Sequence, residues 1–455
     1  MSPDDTPPWE QMLRALLGDG ADAAIEELRA RGIDPASLGG PAMPTDPAAL
    51  QAAMAQVQRM FASGDDTPVN WSMAHDLARQ QAAVGGDASL SPSQSRAALD
   101  ALKVAELWLD AATEFPPSTG APHAWSRAEW VEATLPTWRT LTEPVASSLS
   151  EALVTALGGQ LDSAPELAGL PGGLEPGQLL RRLGSAVFGM QVGQAAGTLA
   201  REVFGTTDIG LPLLESPAPA LVVANVDEFS EGLDAPPDEV RVFLAVREAA
   251  ATRLFTHVPW LRAHLLAMVE AYARGIAIDV DQLEEAVRLV DPTDPEALRE
   301  ALSSGVFAPH KTPDQEAALA RLETALALVE GWIDEVSAAA SIAHLPHTMA
   351  LREMIRRRRA AGGPAEQTFA NLVGLELRPR RLRDAAALWA HLTRTLGPDG
   401  RDAVWDHPDL LPSAEDLDDP AGYEARRAAA SASSADVDRA LAEILGEGPE
   451  PTAPA

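Results

Sequence analysis

The 455-residue chain contains no cysteine. That one absence removes disulfide frameworks, thiolate-bound zinc and cysteine nucleophiles from consideration. Lysine is nearly missing too, present only at Lys103 and Lys311, so arginine supplies almost all the positive charge. Aromatic residues make up 5% of the chain and the 46% hydrophobic content leans on alanine, a composition that favours closely packed helices over a sandwich of strands. No apolar run is long enough to span a bilayer. The start, Met1-Ser2-Pro3-Asp4-Asp5, is acidic and lacks a basic segment followed by an apolar core; the expected location is cytoplasmic. A formal charge of −32 repels polyanions, which argues against nucleic acid and anionic membranes as partners.

What is present is helical periodicity. Short helical patterns in residues 1–45 end in Gly39-Gly40-Pro41 and read as a mobile appendage. Residues 46–430 read as one helical domain, and 431–455 as a C-terminal helix with a disordered tail. Within the domain, helices are expected over 46–61, 70–83, 96–113, 260–274, 281–290, 313–341, 346–361 and 381–396, with one more at 435–445. Ser126-Arg127-Ala128-Glu129 has the spacing of a capping box, while Pro136 and Pro144 imply kinks or breaks beyond it. Gly189, Gly193 and Gly197 recur every four residues, which puts them on one helix stripe where another backbone can approach.

An apolar segment, Leu221 to Val226, reads as a strand; acidic residues then lead to Pro236-Pro237-Asp238-Glu239, and a helical pattern runs through Arg247 to Phe255 before Pro259-Trp260. The wording Val246-Arg247-Glu248-Ala249-Ala250-Ala251-Thr252-Arg253-Leu254-Phe255-Thr256-His257-Val258-Pro259-Trp260-Leu261-Arg262, with the block Leu183 to Ala200, resembles the actinobacterial zincin-like metallopeptidase family. Parts of that family are labelled hydrolases or deazaflavin-cofactor-biosynthesis-associated proteins. The resemblance implies a mainly α, multi-helix zincin-like domain with at most a small β element before the motif helix.

Zincins present His-Glu-x-x-His at this point, two imidazoles four residues apart sharing Zn²⁺ while the glutamate acts as general base on its water. Here the five positions read Arg247-Glu248-Ala249-Ala250-Ala251. Glu248 keeps the general-base position, Arg247 is a permanent cation that repels a metal, and Ala251 offers no donor. Glu330, in Leu328-Val329-Glu330-Gly331-Trp332-Ile333-Asp334-Glu335, resembles the third ligand that many zincins draw from a later helix. Arg247 falls within the apolar stripe of its helix, and a buried guanidinium demands a carboxylate. An Arg247 to Glu330 ion pair is therefore expected, with no metal bound and no cofactor predicted.

Other candidates are weaker. His257 lies ten residues after Arg247, as the third histidine of extended motifs does, but Leu254 stands where those motifs turn at glycine. A straight helix would carry it roughly 15 Å along the axis, so a helix-terminal role is expected, and His264 belongs to the next helix. Pro346 separates His344 from His347. The basic regions Arg356 to Arg359 and Arg378 to Arg383 read as internal ion pairs or a solvated face. Trp405 to Pro412 reads as a closing loop packed on the domain.

Three functions remain open from the sequence: a zincin-like module without zinc or peptidase activity that binds a peptide or protein ligand in the residual cleft; a zinc-dependent hydrolase acting through Glu248 and an altered metal site; and a helical scaffold.

Overall fold

A computed structural model of the chain describes residues 67–161, 176–274, 313–362, 370 and 380–432. The expected N-terminal appendage, the helices expected over 46–61, 281–290 and 435–445, and the expected tail lie outside the described residues. The described residues fall into two units: 67–74, 146–161 and 176–190 form one, and the remainder form the other.

The fold is mainly α. Its helices are α1 (Trp71–Ala82), α2 (Pro92–Leu109), α3 (Arg127–Leu161), α4 (Pro176–Ala200), α5 (Val223–Ser230), α6 (Pro237–His257), α7 (Pro259–Arg274), α8 (Pro313–Ser341), α9 (Thr348–Ala361), α10 (Leu382–Asp402) and α11 (Ala414–Asp418). A two-stranded parallel sheet, β1 (His123–Trp125) and β2 (Ala220–Val222), pairs His123 with Ala220 and Trp125 with Val222. Among the described residues no helix is long and apolar enough to cross a membrane.

Local signals account for many of the boundaries. Ser91 caps α2, its hydroxyl accepting from the Gln94 amide at 3.3 Å while its own amide donates to Gln94 Oε1 at 3.1 Å. The box expected at the start of α3 is formed: the Ser126 amide donates to Glu129 Oε2 at 2.7 Å, and the Glu129 amide donates to Ser126 Oγ at 3.3 Å. Pro136 and Pro144 do not break α3. Each forfeits one backbone hydrogen bond, and the buried Trp130, Trp138 and Leu141 hold the helix in place.

The strand expected over Leu221 to Val226 is shorter than its apolar run. It ends at Val222, and Val223 begins α5. Asn225 explains the change, because its buried amide donates to the Ala200 and Val203 carbonyls at 2.9 and 2.6 Å and accepts from Arg127 Nε at 2.7 Å. A side chain that closes the end of α4 from this position requires a helical turn here rather than extended chain.

In the first unit, a Cβ added to Gly189 would sit 2.5 Å from the Asn70 carbonyl oxygen, and the Asn70 amide donates to Ser185 O at 2.9 Å. In the second, a Cβ on Gly197 would meet Gln81 Cβ at 2.5 Å. Two of the three glycines of the stripe, Gly189 and Gly197, thus accept close neighbours, as their spacing implied.

The second unit is centred on α6, which is buried without interruption from Phe243 to Phe255. It packs against α2 and α8, which also touch each other, and α8 packs in turn on α7 and α10. Gly331 sets the closeness of the α8 to α10 contact: an added Cβ would lie 2.6 Å from Ala385 Cβ and 2.8 Å from the Ala386 nitrogen. Backbone cannot yield there cheaply. Gly331→Ala is predicted to destabilise the protein by about 1–3 kcal/mol, against the gain of about 1 kcal/mol that alanine brings to an unstrained helix. Urea unfolding of the two proteins reads the sign directly.

Candidate functional site

The motif helix α6 begins at Pro237 with Asp238 and Glu239 in its first turn, where carboxylates suit the positive end of a helix. Ten residues on, Arg247 and Glu248 project from a part of the helix that is otherwise alanine and aliphatic. Both are buried. Each must therefore find partners inside the protein.

Arg247 turns to α8. Its Nη2 donates to Glu330 Oε2 at 3.2 Å, and its Nη1 lies 4.0 Å from Asp334 Oδ1. Glu330 and Asp334 are separated by one helical turn, which stacks their carboxylates on one face of α8. The other Glu330 oxygen accepts from Arg359 Nη2 at 3.0 Å. Asp334 is held by Arg352 at 2.7 Å and Arg356 at 2.6 Å, and Arg352 also pairs with Glu335 at 2.9 Å. Burial pulls the Arg352 guanidinium towards its neutral form, but hydrogen bonds and charge from Asp334 and Glu335 outweigh it and leave its pKa raised. Four guanidinium groups and three carboxylates thus tie α6, α8 and α9 together.

Glu248 points elsewhere. Its Oε1 accepts from the Thr206 amide at 2.8 Å, the Thr206 hydroxyl at 2.6 Å and the Ala220 amide at 3.3 Å, and its Oε2 accepts from the Thr207 hydroxyl at 2.7 Å. Four donors fill the carboxylate's lone pairs. Gly205 makes this possible, since a Cβ there would overlap Glu248 Oε2. Burial raises the Glu248 pKa, and the hydrogen bonds from Thr206, Thr207 and Ala220 pull it partway back.

Between these groups lies a cavity of about 20 Å³ bordered by Gly205, Thr207, Arg247, Glu248, Ala251 and Glu330. It has room for one water molecule. Glu248 and Glu330 thus both face the same small space, with the Arg247 side chain beside it.

The donor set does not fit zinc. Structural and catalytic zinc sites need three or four nitrogen, sulfur or oxygen donors around one point, whereas Ala251 has none, Arg247 is cationic, Glu330 is taken by two arginines and Glu248 by four hydrogen bonds. Among the described residues no group of three or more histidine or acidic side chains could hold a metal ion.

The remaining candidates are dispersed. His257 ends α6, its ring stacked on Phe115 at 6.1 Å, and His264 lies on α7 edge-on to Trp260. His344 stacks on Trp108 at 4.4 Å, while His347 Nδ1 lies 3.0 Å from Glu239. The first basic region is divided: Arg356 and Arg359 join the buried network, Arg357 pairs with Glu353 in solvent, and Arg358 donates to the Glu202 carbonyl with its guanidinium 4.1 Å above the Phe204 ring. In the second region Arg381 pairs with Asp418 at 2.5 Å and Arg383 with Glu353 at 2.8 Å; Arg378 lies outside the described residues. The Trp405 segment packs on the domain, with Trp405 stacked on Trp389 at 5.2 Å and its carbonyl accepting from Trp260.

Sequence reasoning missed Asp334, Arg352, Arg356, Arg359, Thr206 and Thr207 as members of this site. Asp334 was findable, one turn after Glu330. The arginines carried a fainter signal, since Arg352, Arg356 and Arg359 also recur at helical spacing.

Residues 69–423 match the zincin-like metallopeptidase family. The chain belongs to that family. A solved structure from Chloroflexus aurantiacus, described as a candidate hydrolase with a novel fold, is similar to this zincin-like chain at 18% identity and a TM-score of 0.54. The similarity covers 79% of this chain and 98% of the other. At that identity the likeness is one of fold. No curated protein matches the sequence.

Two predictions follow from the geometry. Arg247→Met leaves Glu330 with Arg359 alone and should destabilise the protein by about 2 kcal/mol, read by chemical denaturation. For Glu248 the sign runs as for any buried acid whose folded pKa lies above its ordinary value of 4.5. The folded state holds the proton more tightly, so its contribution to stability is fully present below 4.5 and is lost as pH rises through the raised folded value. Relative to Glu248→Gln, the wild type should therefore lose stability as the pH rises above 4.5; a constant difference across a urea series at rising pH would contradict it.

Proposed function

We propose that this member of the zincin-like family has no zinc and no peptidase chemistry, and serves as a peptide- or protein-binding module. The observation that carries the reading is the 3.2 Å ion pair between Arg247 and Glu330. A guanidinium there supplies the fixed positive charge that a divalent ion supplies in a zinc peptidase, but it has no open coordination position, so it cannot bind and acidify a water. The base is spent as well. Glu248 must take a proton from water to act, and all four donors around it stabilise the fold instead.

The small volume beside Glu248 supports the same reading. A space of about 20 Å³ admits one water and no substrate carbonyl, so a ligand meets the rim of the cleft rather than its floor. Stability, in this reading, has replaced reactivity at the motif helix, and the surface around it remains for recognition.

Metal analysis of the purified wild type should find no stoichiometric zinc, and finding it would overturn the proposal. The double substitution Arg247→His with Ala251→His should create zinc uptake, because Glu330 then faces two imidazoles one turn apart on α6. That variant should still fail to cleave casein, since the Thr206 and Thr207 hydroxyls continue to hold Glu248. Cleavage abolished by a further Glu248→Gln would show the base to be free.

A further inference from the structure

Two cavities meet at Gly120, away from the buried ion network. One, of about 440 Å³, is lined by His123 and Trp125 of β1, Ala133 and Pro136 of α3, and the 214–218 segment that carries Glu215. The other, of about 350 Å³, is lined chiefly by Leu102, Leu107, Pro117, Ser118, Pro122 and Pro219. Gly120 borders both, and it has to be glycine, because a Cβ there would overlap the Pro217 carbonyl and Ala218. Each volume falls in the range of ordinary ligand pockets.

The first pocket has the chemistry of a cation receptor. His123 and Trp125 alternate along β1 and so share a face, where their rings stack at 5.1 Å with planes 16° apart. Glu215 is exposed at the same pocket and has no hydrogen bond or ion pair among the described residues. The neighbouring Arg262 is influenced by Glu215 through space only, and gives its Nη2 to Thr137 at 3.1 Å. A planar guanidinium can lie flat on an aromatic wall and meet a carboxylate edge-on, while its methylene stem follows apolar surface. An ammonium group offers the carboxylate no such planar match.

The second pocket is apolar and holds one unused polar atom. Leu107 is 70% exposed at its rim, and Ser118 Oγ is buried without a hydrogen-bond partner. Glu106 and Asp110 also border it, but both are committed to Arg253; Lys103 is paired with Asp100. An aliphatic side chain fits such walls.

Adjoining pockets of these two kinds suit a polypeptide. Side chains two residues apart on an extended chain stand on the same face at a separation of roughly 7 Å. We propose that the two pockets sharing Gly120 receive an extended peptide, with an arginine between Trp125 and Glu215 and an aliphatic side chain of the same peptide beside Leu107. The inference rests on the peptide-binding reading above for its class of ligand, and it gives that ligand a place away from the motif cleft; the chain's net charge of −32 favours the same cationic ligand at long range.

Calorimetry on the full chain tests it with acetyl-Leu-Ala-Arg-Ala-Leu-amide, which offers the leucine in either chain direction, with the same peptide carrying citrulline for arginine, and with acetyl-arginine amide. Citrulline should weaken binding by roughly tenfold, as should Glu215→Gln and Trp125→Leu, because each removes one half of the cation's environment. Glu215 is exposed, so Glu215→Gln should melt with the wild type. Equal binding of the two peptides, or unchanged binding by Glu215→Gln, overturns the inference while leaving the peptide-binding reading in place. Binding of acetyl-arginine amide alone, lost in Glu215→Gln, supports the arginine pocket and overturns the peptide.

Discussion

A guanidinium buried on a helix has to be met by carboxylates, and the arrangement of α6, α8 and α9 follows from that requirement. Arg247 is 10% exposed, Glu330 2% and Asp334 1%, so none of them can rely on water. Removing any one charge would strand the others, which is why buried ion networks are costly to break even where they add little net stability. The alanines around Arg247 let α6 come close enough to α8 for the contact, and Gly331 lets α8 come close to α10 on its far side. Charge pairing and small residues therefore act together.

Much of the fold was legible because helical periodicity depends on neighbours in sequence. The helix expected over 313–341 is α8, the capping box at Ser126 is formed, and the glycines at 189 and 197 take the close contacts their spacing implied. Departures came where a distant residue decided the local structure. Asn225 turns the end of an apolar run into helix by bonding to α4, and buried tryptophans carry α3 through two prolines. Neither effect is visible in a local pattern.

The site divides along the same line. Arg247, Glu248 and Glu330 could be singled out because the motif frame marks their positions. Thr206 and Thr207 could not, for they sit in a turn and reach Glu248 only across 40-odd residues of chain. The basic run on α9 reads as internal ion pairs or a solvated face and is both, for Arg356 and Arg359 point inward to Asp334 and Glu330 while Arg357 meets Glu353 in solvent. Consecutive arginines on a helix face different directions, and composition alone does not say which are buried.

The turn containing Gly205, Thr206 and Thr207 also bears on how α6 is anchored. Glu248 is fastened by residues 41 and 42 positions before it, and its neighbour Arg247 by a carboxylate 83 residues after it. Two adjacent positions of one helix thus tie together stretches of chain that lie far apart in sequence. Sliding α6 along its axis would unfasten both at once, so its placement is a property of the whole unit rather than of the helix alone.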